Sequence, residues 1–423
     1  MTPLRLIGLA ALLAPNSSFA QSREPFEVEP SGPLLRADVA GSRQPSGTGA
    51  IGVQVGSALV RPTATVRAEA DSNVLNRSSD ERGDVFVVLA PAVTATLDSG
   101  RSTVVLRAEA AVARFASLNS QNSETFALEA NGSLKISRNT ALFARLSYDH
   151  KVEPRASAGG AQIEGSPAEY TQLEAQLAAR TEIDDLRLTL SVSGNRRSYE
   201  DIHTSAGIIA DQSFRDAETL AVAMKAEYAI PAGAVLFAQG FYSWTDSINP
   251  NPCCDRSASG GHLLGGFRAD LTNLISAEAA VGYMVRTYDS AIYKDYKGLI
   301  WRGRLQWYPT PLVSLSLASD RQIANSSLPS VSGVVVDTIT FQTFYEMRRN
   351  LNLIATLSRT SENYREAQTT TRGTVVGIEG RYVSSPLLTT GIFARYRTRE
   401  SSGTLPLRGG DGVEGGMWIR VSI

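Results

Sequence analysis

The amino-acid sequence predicts an all-β protein, a transmembrane antiparallel up-and-down barrel of about 18 strands (16 being the alternative count) closed by its C-terminal strand. Three observations predict it. Long stretches alternate apolar and polar residues with a period of two. Their connections alternate between short and long. Aromatic residues gather toward both ends of the stretches.

The pattern is plainest in residues 84–115, which read as two strands around the turn Asp98-Ser99-Gly100. In the second strand Val104, Leu106, Ala108, Ala110 and Val112 point one way, and Arg107 and Glu109 point the other. Each strand is about twice the usual length in a soluble sheet. A soluble sandwich would pack such apolar faces together, whereas a membrane barrel turns them to lipid.

In chain order, residues 1–20 read as a secretory signal peptide. Arg5 precedes an apolar run from Leu6 to Leu13, and Ser18-Phe19-Ala20 sets cleavage between Ala20 and Gln21. No later stretch approaches the ~18 consecutive apolar residues of a membrane helix. With no Cys following the cleavage site, a lipoprotein anchor is excluded. Residues 21–60, rich in Pro, Gly and Ser, read as a flexible periplasmic segment, in which the alternation at Val53 and Val55 is an inward segment or the start of a strand. The barrel is expected over 61–423. EYTQLEAQLAART and AETLAVAMKAEY could be helices on propensity, but their apolar residues fall at every second position, which selects strand.

Turns near Ser99, Arg138, Asp185, Gly233, Asn273, Thr310, Arg349 and Ser385 are short. The alternate connections, near Asn119, Gly160, Thr204, Pro250, Ala291, Pro329, Gln368 and Gly403, are mostly longer and richer in Gly, Ser and Pro. That sorting belongs to outer-membrane barrels and not to Greek-key sandwiches. Tyr228, Trp307, Tyr308, Tyr345 and Tyr382 fall near the short turns. Phe115, Tyr148, Tyr170, Tyr199, Tyr242, Trp244, Tyr288, Tyr296, Tyr364 and Tyr396 fall near the long loops. Two such belts are expected at two membrane interfaces. Met417, Ile419, Val421 and Ile423 alternate with Trp418, Arg420 and Ser422, as in a closing strand that barrel-assembly machinery reads, although such strands usually end in Phe.

Residues 52–75, GVQVGSALVRPTATVRAEADSNVL, place a Pro at the opening of the first strand and Ser-Asn-Val after its last acidic residue. With the repeated hairpins this resembles the bacterial outer-membrane group called "putative β-barrel porin 2". The resemblance implies architecture and location more than substrate, and some members of the group are linked to polysaccharide export.

With apolar faces turned to lipid, the expected lumen lining includes Arg107, Glu109, Arg145, Arg187, Arg268, Arg286, Arg302, Arg304, Arg381, Arg395, Arg397 and Arg420. Opposite charges stand two residues apart in Arg107/Glu109, Lys225/Glu227, Arg268/Asp270 and Glu379/Arg381, so the set reads either as a stiffening salt-bridge lattice or as a selective pore lining. The late surplus of Arg leans toward anions. The function expected is a porin-like channel, for passive solute diffusion or for export of an anionic polymer such as exopolysaccharide. The alternatives are a plugged structural barrel and an outer-membrane enzyme. His150, His203 and His262 are the candidate bases, but no nucleophile-elbow, paired-His or cofactor motif accompanies them, so no enzyme, metal or cofactor is expected. A net charge of −1 offers nothing to nucleic acid. The partners expected are outer-membrane lipids, the barrel-assembly machinery and, for a polymer cargo, polysaccharide-export proteins. Cys253 and Cys254 are adjacent and cannot staple distant segments, so they read as a loop ornament, the alternatives being a vicinal disulfide or a cross-link between chains.

Overall fold

The computed structural model describes residues 52–423 except 205, 231, 232, 250–254 and 406. The expected signal peptide with its Ala20–Gln21 cleavage, most of the 21–60 segment, and Cys253 and Cys254 lie outside the described residues.

Eighteen antiparallel strands form one closed wall. They are β1 Ala58–Asp71, β2 Asp84–Asp98, β3 Ser102–Phe115, β4 Ser123–Lys135, β5 Thr140–Glu153, β6 Ala168–Ile183, β7 Leu186–Tyr199, β8 Ala217–Ile230 and β9 Ala234–Ser247. The second half comprises β10 Ala258–Thr272, β11 Ile275–Tyr288, β12 Tyr296–Thr310, β13 Val313–Asn325, β14 Gly333–Arg348, β15 Leu351–Tyr364, β16 Thr369–Val383, β17 Leu388–Gly403 and β18 Gly412–Ser422. Each strand pairs with its sequence neighbours, and β18 closes onto β1 from Thr63↔Ser422 to Asp71↔Glu414. Val53–Val55 folds back on Val60–Ala58, extending the β1 ladder below the reach of β18. The two segments that helix propensity would claim are β6 and β8, because pairing on both sides satisfies their backbones.

Short turns of two to four residues close one end of the barrel, and connections of four to 17 residues close the other. Carried once round the wall, the register slips by roughly 22 residues. With strands about 4.8 Å apart and about 3.3 Å per residue, that stagger tilts them by about 40°. Between β2 and β3 the ladder is interrupted at Ala90–Pro91, where Pro91 has no N–H to donate.

Alternation along each tilted strand sets the two faces. Leu106, Leu128, Leu146, Leu177, Leu263 and Ile392 are among the exposed apolar residues of the outer face. Tyr228, Trp307, Tyr345 and Tyr382 form the ring at the short-turn end, and Tyr148, Tyr242, Trp244, Tyr283 and Tyr396 form the ring at the loop end. The register row from Tyr228 passes Gly303, Ile339 and Thr374, while Trp307, Tyr345 and Tyr382 lie progressively further toward the short turns. The ring is level because the stagger offsets that drift.

The belts expected from sequence need a correction. Tyr308, Tyr288 and Tyr364 are buried inside, and Tyr296 is inside at 9% exposure. Phe115, Tyr170 and Tyr199 alternate with outward residues and also face inward. The reason is parity: Tyr308 follows outward-facing Trp307 and takes the opposite face. Inside the mouth these rings stack, Phe86 on Phe115 at 4.4 Å and Tyr170 on Tyr199 at 5.4 Å.

The face assignment is testable at one pair of neighbours. Leu106→Arg puts a cation on the lipid face at a cost of about 2–4 kcal/mol. It should sharply reduce the fraction that runs as folded barrel on an unboiled gel. Arg107→Leu, on the inner face, should leave most of that fraction intact, and equal losses at the two positions would reverse the assignment.

Candidate functional site

All twelve charged residues expected to line the lumen lie on the inner parity of their strands. Most are held in ion pairs. Arg145 Nε is 3.2 Å from Glu129, and Arg187 Nη2 is 2.8 Å from Glu182. Arg107 pairs with Glu109. The largest group is nearly dry: Lys225 Nζ lies 3.1 Å from Glu227, and Arg268 lies 3.5 Å from Glu227 and 3.1 Å from Glu278. Arg304 stands opposite Glu278 in the register, and Arg302 opposite Asp320. Arg381 pairs with Glu379 at 3.1 Å, and Arg420 donates to Thr65 Oγ1 at 2.9 Å.

The late surplus of Arg in the sequence leans toward anions. The fold corrects this: Arg395 meets Glu414 at 3.4 Å, and Arg397 meets Asp71 at 2.8 Å. Glu414 faces Arg395 within the β17–β18 hairpin, whereas Asp71 belongs to β1, which comes near β17 only when the wall closes. The wall is therefore close to neutral along this seam. Arg286 differs. Its guanidinium lies 5.5 Å from the centre of the Tyr288 ring, and it has no ion pair among the described residues.

The loop end is bridged from one wall to the other. The connection between β5 and β6, residues 154–167, reaches the tops of β13, β15 and β17, nearly half-way round the ring. Ser327 N donates to Gly159 O at 2.7 Å and Ser327 Oγ donates to Gly160 O at 2.5 Å. Arg399 of β17 donates to Ala156 O at 2.6 Å, and its other Nη meets Glu362 of β15 at 2.7 Å. Glu362 also accepts from Tyr364 at 2.8 Å. Ala158 packs on a small apolar core of Val331, Val334, Val336, Tyr364 and Leu407. The backbones meet so closely that a Cβ on Gly159 would stand 2.2 Å from Asn325 O, and φ there is +69°. Only glycine fits that position comfortably.

The near side is anchored as firmly. Arg155 donates to Gln121 Oε1 at 2.8 Å and to Gly165 O at 2.6 Å. Burial, helped by the like charge of Arg408, pushes the Arg155 pKa down to about 10, still far above neutrality. Glu164 pairs with Arg77 and lies 3.8 Å from Arg408, joining the loops after β1 and β17. Arg215 meets Glu153 at 2.6 Å.

The three histidines are not brought together. His203 is exposed in a two-strand hairpin of the loop after β7, and His262 faces inward, stacked on Phe241 at 5.0 Å. His150 lies on the outer face beyond Tyr148, 3.3 Å from Glu169 and 3.8 Å from Glu200, a trio that sequence reading missed because Glu200 is fifty residues away. The loop crossing was equally hidden, its one trace being the glycines at 159 and 160.

A family profile described as "putative beta-barrel porin 2" matches residues 44–407. Among solved structures the chain is similar to OccAB3 of Acinetobacter baumannii (10% identity, 86% of this chain and 99% of that chain, TM-score 0.46). It is also similar to OpdL of Pseudomonas aeruginosa (12% identity, 87% and 99%, TM-score 0.46) and to the siderophore receptor PirA of A. baumannii (6% identity, 85% and 80%, TM-score 0.45). No curated protein matches the sequence.

The fastening of the loop can be tested at Gly159. Gly159→Val forces a branched side chain into a left-handed conformation that costs about 1–2 kcal/mol for any L-residue, before the clash with Asn325 is counted. Intact cells bearing the variant should be cut by trypsin at Arg155, while wild-type barrels resist. Equal resistance would mean that Gly159 does not hold the crossing.

Proposed function

The chain belongs to the "putative β-barrel porin 2" family of outer-membrane barrels, and from that premise we propose that it is a passive diffusion channel for small hydrophilic solutes, narrowed at its outer mouth by residues 154–167. One observation carries the reading. The inner wall carries ion-paired side chains at several levels beside an apolar patch of Phe237, Leu264, Met284 and Ile300, and among the described residues the 154–167 loop crosses the mouth. A barrel of this strand number is wide enough to hold water, and paired charges leave little net selectivity.

Export of an anionic polymer fits the arrangement less well. A polymer in transit needs a bore that stays open along its length, and the bonds from Ala156, Gly159 and Gly160 to the far wall stand in its path. Small solutes would need only narrow gaps beside the loop. An enzyme is disfavoured by the separation of His150, His203 and His262 on different elements. Lipid contacts at the two aromatic rings, and assembly through β18, are the partners this reading requires.

Single-channel recording in planar bilayers tests it. The wild type should show small, stable conductance steps, and replacing residues 156–163 with a short Gly-Ser linker should enlarge them severalfold. Silence from both proteins would favour a plugged structural barrel. Loss of surface polysaccharide on deleting the gene would favour export.

A further inference from the structure

We propose that the cavity inside the mouth between the loop ends of β7, β8, β9 and β11 and the β13–β14 connection is a binding site for a small monovalent anion, such as the carboxylate of a solute in transit. The inference rests on the channel reading and deepens it. The cavity measures about 20 Å³, more than the roughly 10–15 Å³ that one water needs, and suits one small group. Arg215, Arg256 and Arg286 line it together with Tyr199, Tyr288 and Asp216.

The charges around it do not cancel. Arg215 is neutralised by Glu153 at 2.6 Å. Asp216, the one carboxylate in the lining, already accepts from Tyr199 N at 2.7 Å and from the Asn249 amide at 3.2 Å. Asp255, beside Arg256 in the chain, accepts from Ser257 N and Oγ at 3.0 and 2.7 Å. Arg256 and Arg286 form no ion pair among the described residues, and the three guanidiniums of the lining outnumber Asp216 and the Glu153 that pairs with Arg215. Arg256 is 9% exposed, donates to the carbonyls of Ser326 and Leu328, and has a buried Nε with no acceptor. Arg286 reaches the same space with the Tyr288 ring beside it. A buried guanidinium without a counter-ion is unfavourable, and an anion between Arg256 and Arg286 would relieve it. The place suits a transient stop: inside the mouth, on the wall that the lid loop leaves beside it.

Two readouts test this. Crystals of the full barrel soaked in bromide should show an anomalous peak between Arg256 and Arg286. In bilayers under a KCl gradient, Arg286→Gln should lower the chloride-to-potassium permeability ratio about threefold, with Arg286→Lys close to wild type. Potassium acetate should show the same ordering if carboxylates use the site, and a chloride-only effect would overturn the carboxylate assignment. No peak, together with equal ratios for the wild type and Arg286→Gln, would overturn the site. A wild type that shows the peak but passes no current would keep the site and contradict the channel.

Discussion

Every structural choice in this protein follows from one constraint: the hydrocarbon of a bilayer offers no hydrogen bonds. Backbone N–H and C=O groups left open there would each cost several kcal/mol, so a strand can cross only inside a ladder with no free edge. The β1–β18 pairing removes the last edge, and its register is what makes the wall a tilted cylinder. The pleat then does the sorting. With the apolar set committed to lipid, most charged residues of the spanning strands are delivered to the interior, where neighbouring strands can pair them, and outward pairs such as Arg114–Glu124 and Arg196–Glu218 stand toward the loop ends.

Closure has a second consequence, in the electrostatics of the seam. Asp71 lies 326 residues from Arg397 along the chain yet neutralises it across the closed seam, beside the Arg395–Glu414 pair of the β17–β18 hairpin. Along the sequence that strand looks like an anion-attracting wall, and round the ring it is balanced. In the proposed channel, selectivity would come from cations without an ion pair, such as Arg286 at the mouth beside the Tyr288 ring and Arg420 near the short turns.

The barrel itself was legible because neither a helix nor a loop sustains a period of two over a dozen residues, and the alternation of short and long connections distinguishes its two ends. Strand residues such as Leu106 and Arg107 declare their faces unaided. The aromatic belts were half legible. Tyr148 and Tyr396 stand where an interface needs them, but Tyr288, Tyr296 and Tyr364 were assigned by position along the strand when parity already placed them inside. The mouth was not legible. Gly159 against Asn325, Arg399 on Ala156 and Glu164 between Arg77 and Arg408 are contacts between loops far apart in sequence, and loop composition says nothing of where a loop will land.

That landing is what separates a constricted channel from an open pipe. With Cys253 and Cys254 replaced by Ser, a pair of cysteines at Ala158 and Val331 would sit on the two sides of the crossing, within one apolar cluster. A short bifunctional thiol reagent applied to intact cells should link them in most molecules and leave the barrel folded. If the pair fails to link while Ala158→Cys reacts freely with a bulky polar maleimide, the loop does not cross the mouth and the constriction is wrong.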